Sequence, residues 1–131
     1  MVVKDIVKRN IVFISANESI QDAAMLMDDR NIGSLLIRDK GQYVGIITER
    51  DIMRKVVAMG KIADVTKVRD IMSPALLTID INSTLEEAQI MMDKKGIRRL
   101  VVTEKDRIVG IITQRDVANS LVYSFARRSV A

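Results

Sequence analysis

Apolar residues along the chain fall into two kinds of pattern, and the pair of patterns occurs twice. Ile11 to Ile14 is a short continuous apolar run, as is Leu76 to Ile79, and each suits a brief strand. Ser19 then precedes Ile20, Ala23, Ala24 and Met27, which lie at i, i+3, i+4 and i+7 and form the apolar stripe of a helix. Leu85, Ala88 and Met92 repeat the stripe. Thr84 with Glu87 predicts a capping box at the start of that second copy, and Ser19 with Asp22 a weaker version of it. Two further apolar runs follow in each copy. Leu35–Ile37 and Tyr43–Ile47 are divided by the charged turn RDKGQ, and Leu100–Val102 and Ile108–Ile112 by TEKDR, so both pairs read as hairpins. A second helix closes each copy, with stripes at Ile52, Met53, Val56 and Val57 and at Val117, Ala118, Leu121, Val122 and Phe125. The predicted order is strand, helix, strand, strand, helix, twice. The near-continuous apolar strands imply sheets covered on one or both faces.

The two copies are one unit duplicated. Set against itself at an offset of 65 positions, the chain aligns Asp5-Ile6 with Asp70-Ile71, Asn17 with Asn82, Met27-Asp28 with Met92-Asp93, and Ile32 with Ile97. The longest match is GIITERD, Gly45 to Asp51, against GIITQRD, Gly110 to Asp116. Roughly a third of the aligned positions are identical without a gap, and self-similarity at one fixed period marks a repeated structural unit. The repeats span residues 4–60 and 69–125, joined by a short charged linker over residues 61–68.

Composition narrows the chemistry. The 131 residues are 48% apolar and 29% charged, which suits a globular chain with a core of its own. Cys and His are both absent, so disulfides, Ser-His-Asp or Cys-His triads and the usual zinc and haem sites lack their residues. No metal site and no catalytic cofactor are expected. Lys4, Asp5, Lys8 and Arg9 interrupt the start too early for a signal-peptide apolar segment, and no run approaches the roughly 18 apolar residues of a membrane span. A cytoplasmic location without membrane attachment is the expectation. The formal charge of +4 favours polyanions only mildly.

The heptapeptide admits two readings. In the first, Thr48 ends a strand and caps the next helix, while Asp51 at the third helical position reaches back to the cap's N–H; Thr113 and Asp116 repeat this. Gly45 and Gly110 then mark a bulge or a close backbone approach. In the second, the strand-to-helix corner is an anion site, because helix N-termini carry free N–H groups and a positive dipole end. The Thr hydroxyl donates to a phosphate oxygen, and the ionised Asp accepts two bonds, as from the vicinal hydroxyls of a ribose.

The repeat that ends in GIITERD and GIITQRD resembles the CBS domain, the module named after cystathionine beta-synthase, over nearly the whole chain. The resemblance implies an α/β (α+β) fold: two β-α-β-β-α units packed sheet to sheet with pseudo-two-fold symmetry, a stand-alone Bateman module. It implies a regulatory module that senses adenosyl compounds (AMP, ADP, ATP or S-adenosylmethionine) in clefts between the units and passes the change to a partner. Carried across residue by residue, the first site comprises Thr48, Asp51, Leu76, Leu77, Ile97, Arg98 and Arg99. The second comprises Thr113, Asp116, Asn10, Val12, Ile32, Gly33 and Ser34.

Arg98-Arg99 aligns with Gly33-Ser34. If the sites cross between the repeats, the guanidinium groups serve the Thr48 site, which then prefers AMP, ADP or ATP. Arg50 and Arg115, inside the heptapeptides, read as solvated surface residues. The wide apolar stripes of the last helices predict an association surface, with a homodimer as the first expectation and a hetero-partner on the same surface as the second; the resemblance implies a regulated enzyme or transporter as a further partner. A nucleic-acid-binding or scaffolding role is the alternative. The few aromatic residues, Phe13, Tyr43, Tyr123 and Phe125, form no stacking set, which argues against it. No nucleophile–base pair is visible, so an enzyme is not expected.

Overall fold

The computed structural model describes residues 1–74 and 76–130. One compact unit is Val12–Leu76. It contains β1 (Phe13–Ser15), α1 (Ile20–Arg30), β2 (Ser34–Asp39), β3 (Gln42–Thr48), α2 (Glu49–Ile52) and α3 (Val68–Ile71). The other unit combines Met1–Ile11 with the chain from Leu77 onward. It holds β4 (Thr78–Asp80), α4 (Leu85–Lys95), β5 (Arg99–Glu104), β6 (Arg107–Thr113) and α5 (Gln114–Val130). Each unit has one three-stranded sheet with its hairpin antiparallel and its first strand parallel, in the orders β1-β2-β3 and β4-β5-β6. The fold is thus mixed α and β, with the element order that the hydrophobic pattern predicts.

The short first strands start later than the apolar runs suggest. Val12 and Leu77 each contribute only a carbonyl, which accepts from the N–H of Leu36 at 3.2 Å and of Val101 at 3.0 Å. One bond attaches them to the ladder's end without making them strand. The hairpin loops Lys40-Gly41 and Lys105-Asp106 are two residues long, and all four have positive φ. That is the twist that matches paired strands. Both hairpins also carry the same bulge. Ile37 opposes Gly45 while Arg38 opposes Tyr43, leaving Val44 as the extra residue; Val109 is its equivalent.

Helix starts follow their caps. Thr84 Oγ1 accepts from the N–H of Glu87 at 3.1 Å and the Glu87 carboxylate accepts from the N–H of Thr84 at 3.2 Å, the reciprocal box expected there. Ser19 accepts from the N–H of Asp22 at 3.0 Å without reciprocation. The Asp22 carboxylate instead faces Glu18, whose carboxyl it holds above the ordinary value by hydrogen bonding and like charge.

The units do not coincide with the sequence repeats. Val3, from the head of the first repeat, is fully buried in the core of the second repeat's sheet, with Ile81, Leu85, Leu100 and Ile112. Val68, from the head of the second repeat, is equally buried with Ile20, Leu35, Ile37 and Ile47. The backbone contacts repeat with the same offset. Val3 N–H donates to Ser83 O at 2.8 Å and Lys4 N–H to Ile81 O at 2.8 Å. Val68 N–H donates to Glu18 O at 2.9 Å and Arg69 N–H to Ala16 O at 3.1 Å. Arg69 further bonds Asn17 at 2.6 Å and pairs with Asp39 at 3.7 Å.

This exchange explains the heptapeptide glycines. Ile46 and Ser73 exchange two backbone bonds of 3.0 and 3.2 Å, and a Cβ on Gly45 stands 2.7 Å from Ser73 O. Lys8 stands in an antiparallel bridge with Ile111, and a Cβ on Gly110 overlaps Lys8 O. The requirement is space for a crossing backbone, not an unusual φ.

The last helices differ. After Ile52, α2 widens into a π turn over Met53–Val57, with Ala58 N–H bonded to Met53 O at 2.8 Å. The extra residue breaks the 3.6-residue period, so of the expected stripe Val56 is buried while Met53 and Val57 are exposed. In α5, Val117 is buried and Val122 exposed.

Two outcomes follow from this arrangement. Val3→Ala removes methyl groups from the second sheet's core, so hydrogen exchange should speed up in β5, β6 and α4 and not in the first repeat, with a loss of about 1–3 kcal/mol. Equal loss of protection in α1 and β2 contradicts the exchange. Gly110→Ala should lower stability in urea by about 1–3 kcal/mol, since its Cβ meets backbone and not a flexible side-chain end.

Candidate functional site

Each heptapeptide carries a strand directly into a helix. Thr48 is extended at φ −119° and ψ 161°, the backbone of an N-cap, and α2 begins with the next residue. Its Oγ1 accepts from the N–H of Asp51 at 3.2 Å. One Asp51 oxygen accepts from the Thr48 N–H at 2.9 Å and from the Thr48 hydroxyl at 3.0 Å. The other faces Lys55 Nζ at 3.5 Å, and that ammonium also donates to Ile71 O at 3.2 Å. The capping reading therefore holds in full at this corner. At the other corner it holds by half. Asp116 N–H donates to Thr113 Oγ1 at 3.1 Å, but among the described residues the Asp116 carboxylate has no hydrogen bond or ion pair. Ser120 stands where the first copy has Lys55.

The first-turn amides are less free than helix geometry alone suggests. Glu49 N–H donates to Gly33 O at 3.0 Å, and Gln114 N–H to Arg98 O at 2.7 Å. With Asp51 and Asp116 N–H on the threonines, an anion at either corner must rely on hydroxyl and side-chain donors more than on the dipole end.

The hairpin register decides which side chains accompany each corner. Ser34 lies directly opposite Thr48, and Arg99 directly opposite Thr113. Directly opposed residues share a face with their Cβ atoms about 4.5–5.5 Å apart. The unit Val12–Leu76 holds Thr48 and Asp51 together with Val12, Ile32, Gly33, Ser34 and Leu76. The other unit holds Thr113 and Asp116 together with Asn10, Leu77, Ile97, Arg98 and Arg99. The expected sets, by contrast, draw on both units. Within its own unit the arginine pair accompanies Thr113, with Arg99 half-buried and Arg98 exposed. Arg50 and Arg115 are exposed, as solvated helix residues should be.

On the α1 side of the first corner lies a cavity of about 460 Å³, floored by Met27, Ile32 and Ile52 and rimmed by Asp28 and Glu49. The second repeat has glutamines at two of the equivalent positions. Gln89 and Gln114 both donate to Asp93, at 3.0 and 3.5 Å. Ala24 and Glu49 stand at those two positions in the first repeat. Sequence reasoning missed Lys55, whose spacing of four residues from Asp51 was the available signal. Among the described residues, no cluster of three or more His, Cys, Asp or Glu forms, and no helix is long and apolar enough to cross a membrane.

Known proteins carry the same repeat. The model of the CBS domain matches residues 3–58 and again residues 68–123. An uncharacterized protein of Methanopyrus kandleri is 38% identical over 117 residues, which are 88% of this chain and 60% of that protein's length. The CBS domain-containing protein YhcV of Bacillus subtilis is 34% identical over 116 residues, 88% of this chain and 82% of its own. Among solved structures, the CBS domain pair of protein MJ0100, in complex with 5′-methylthioadenosine and S-adenosyl-L-methionine, superposes with a TM-score of 0.84 at 31% identity. That match covers 95% of this chain and 98% of the other. Two family matches, a shared order of elements and a Thr–Asp cap at the end of each hairpin agree: the chain belongs to the CBS domain family, as a tandem pair.

Proposed function

We propose that the chain is a regulatory module that binds adenosyl compounds at its Thr–Asp corners and passes the resulting change to a partner. One observation carries the reading. The same hydroxyl and carboxylate stand at the same strand-to-helix corner in both repeats of a chain whose structural neighbour binds 5′-methylthioadenosine and S-adenosyl-L-methionine. A carboxylate beside a threonine hydroxyl offers acceptors for a ribose diol and a donor for a phosphate or a similar group. Neither role requires catalysis, and we assign none.

The two corners differ in charge. Arg99 opposes Thr113, and Arg98 holds the first amide of α5 through its carbonyl, so we assign the phosphate-bearing ligands AMP, ADP and ATP to the Thr113–Asp116 corner. Charge-assisted bonds to phosphate are about twice as strong as neutral ones, and a guanidinium presents two donors in one plane. Ser34, opposite Thr48, supplies no guanidinium to the first corner, so we assign that corner no preference for the phosphate-bearing ligands. This assigns the arginine pair by hairpin register, whereas the reading across repeats gives it to the Thr48 site with Leu77 and Ile97. We further propose a cytoplasmic homodimer formed through the exposed apolar residues of the last helices, Met53 and Val57 or Val122 and Tyr123, with an enzyme or transporter as the regulated partner.

Thermal melts with AMP, ATP and S-adenosylmethionine test the function. A ligand at 100 times its Kd stabilises the fold by about 2.7 kcal/mol. In calorimetry, Arg99→Ala should weaken AMP by about tenfold and leave adenosine unchanged. No stabilisation by any adenosyl compound overturns the function. Unchanged AMP affinity in Arg99→Ala overturns the phosphate assignment alone.

A further inference from the structure

The Thr48–Asp51 corner is closed by a residue that its twin lacks. Both oxygens of Asp51 are engaged. One accepts from the Thr48 N–H and hydroxyl, and the other faces the Lys55 ammonium at 3.5 Å. Lys55 is itself anchored away from the corner, because its Nζ donates to Ile71 O at 3.2 Å, the last carbonyl of α3. An ammonium is favoured at a helix C-terminus, so the anchor holds the cation where it can meet Asp51. The Asp51 side chain is only 18% exposed. Lys55 rides on the π turn, and π turns recur at functional sites. The twin corner has Ser120 at the equivalent position, and its Asp116 carboxylate has no partner among the described residues.

We propose that Lys55 is a latch that sets the ligand preference of the Thr48–Asp51 corner. It occupies the carboxylate oxygen that a ribose hydroxyl needs, so a neutral nucleoside binds more weakly there than at Thr113–Asp116. The proposal rests on the adenosyl reading above and adds to it a residue outside the repeated heptapeptide. A ribose hydroxyl and the ammonium compete for one ionised oxygen, and the ammonium adds a Coulomb attraction to Asp51 that the neutral hydroxyl lacks. The exposed ion pair is nevertheless modest, because Lys55 is 48% exposed. The latch therefore biases the corner without sealing it, and a ligand with enough other contacts can displace the ammonium.

Adenosine is the appropriate probe, because it carries no phosphate that Lys55 could attract. In an Asp116→Ala background, which leaves the Thr48–Asp51 corner to be read alone, Lys55→Met keeps the stem and removes the charge. Calorimetry should show adenosine binding about two- to fivefold tighter than in Asp116→Ala itself, the range expected for releasing an exposed pair. Lys55→Arg should leave the affinity near that of the parent. The reciprocal change, Ser120→Lys in the otherwise unaltered chain, should weaken adenosine at the other corner. Unchanged or weaker binding in Lys55→Met overturns the latch and leaves the adenosyl reading standing. If neither the unaltered chain nor Lys55→Met binds any adenosyl compound, the function itself falls, and the latch with it.

Discussion

The burial of two valines, Val3 and Val68, each at the head of a repeat and each in the core of the other repeat's sheet, is the constraint on which the rest depends. A fully buried valine contributes about 1.5–3 kcal/mol relative to an exposed one, and here each is held by backbone bonds of 2.8 and 2.9 Å to the loop before a core helix. Neither sheet with its helices is therefore complete without chain from the other repeat. The crossing segments dictate local chemistry in turn. Each runs past the final strand of a hairpin, so that strand must carry a glycine where the crossing carbonyl passes and a bulge beside it, at Val44-Gly45 and Val109-Gly110. The first half of the repeated heptapeptide is conserved between the copies by this packing demand.

The elements were legible because the apolar periods are clear, and the hairpins because their turns leave little choice of register. Two-residue loops at Lys40-Gly41 and Lys105-Asp106 alone would set Gly33 against Thr48 and Arg98 against Thr113, and the bulge at Val44 and Val109 moves each pairing by one residue, to Ser34 and Arg99. The arginine pair's nearest corner within a unit could thus be counted from the sequence. The exchange of heads could not. Val3-Lys4-Asp5-Ile6 and Val68-Arg69-Asp70-Ile71 are nearly interchangeable, so either would satisfy either core, and no apolar pattern says which one it enters. The π turn was hidden for a related reason. Its stripe of Ile52, Met53, Val56 and Val57 reads as regular helix, and only the bond from Ala58 to Met53 shows that the period has slipped.

The second half of the heptapeptide serves local structure and offers ligand chemistry with the same atoms. At Thr48 these uses compete. Three hydrogen bonds and an ion pair tie Thr48, Asp51 and Lys55 together, and through Lys55 they tie the start of α2 to the end of α3. At Thr113 they do not compete, because the threonine caps the helix while the carboxylate is left without a partner among the described residues.

That difference bears on where a signal can originate. A ligand shifts a conformational equilibrium only through interactions that differ between the two states. On the proposed reading, a ligand meeting Asp116 finds a carboxylate already available, so binding there changes little in the surrounding helix start. A ligand meeting Asp51 must draw its oxygens from Thr48 and Lys55, and the released Lys55 no longer bridges to the Ile71 carbonyl in the same geometry. On the same proposal the closed corner binds more weakly for the same reason that its occupancy alters more of the structure. A tandem pair with one open and one latched corner would then separate holding a ligand from responding to it, and the proposed division rests on a single side chain, Lys55, four residues beyond Asp51.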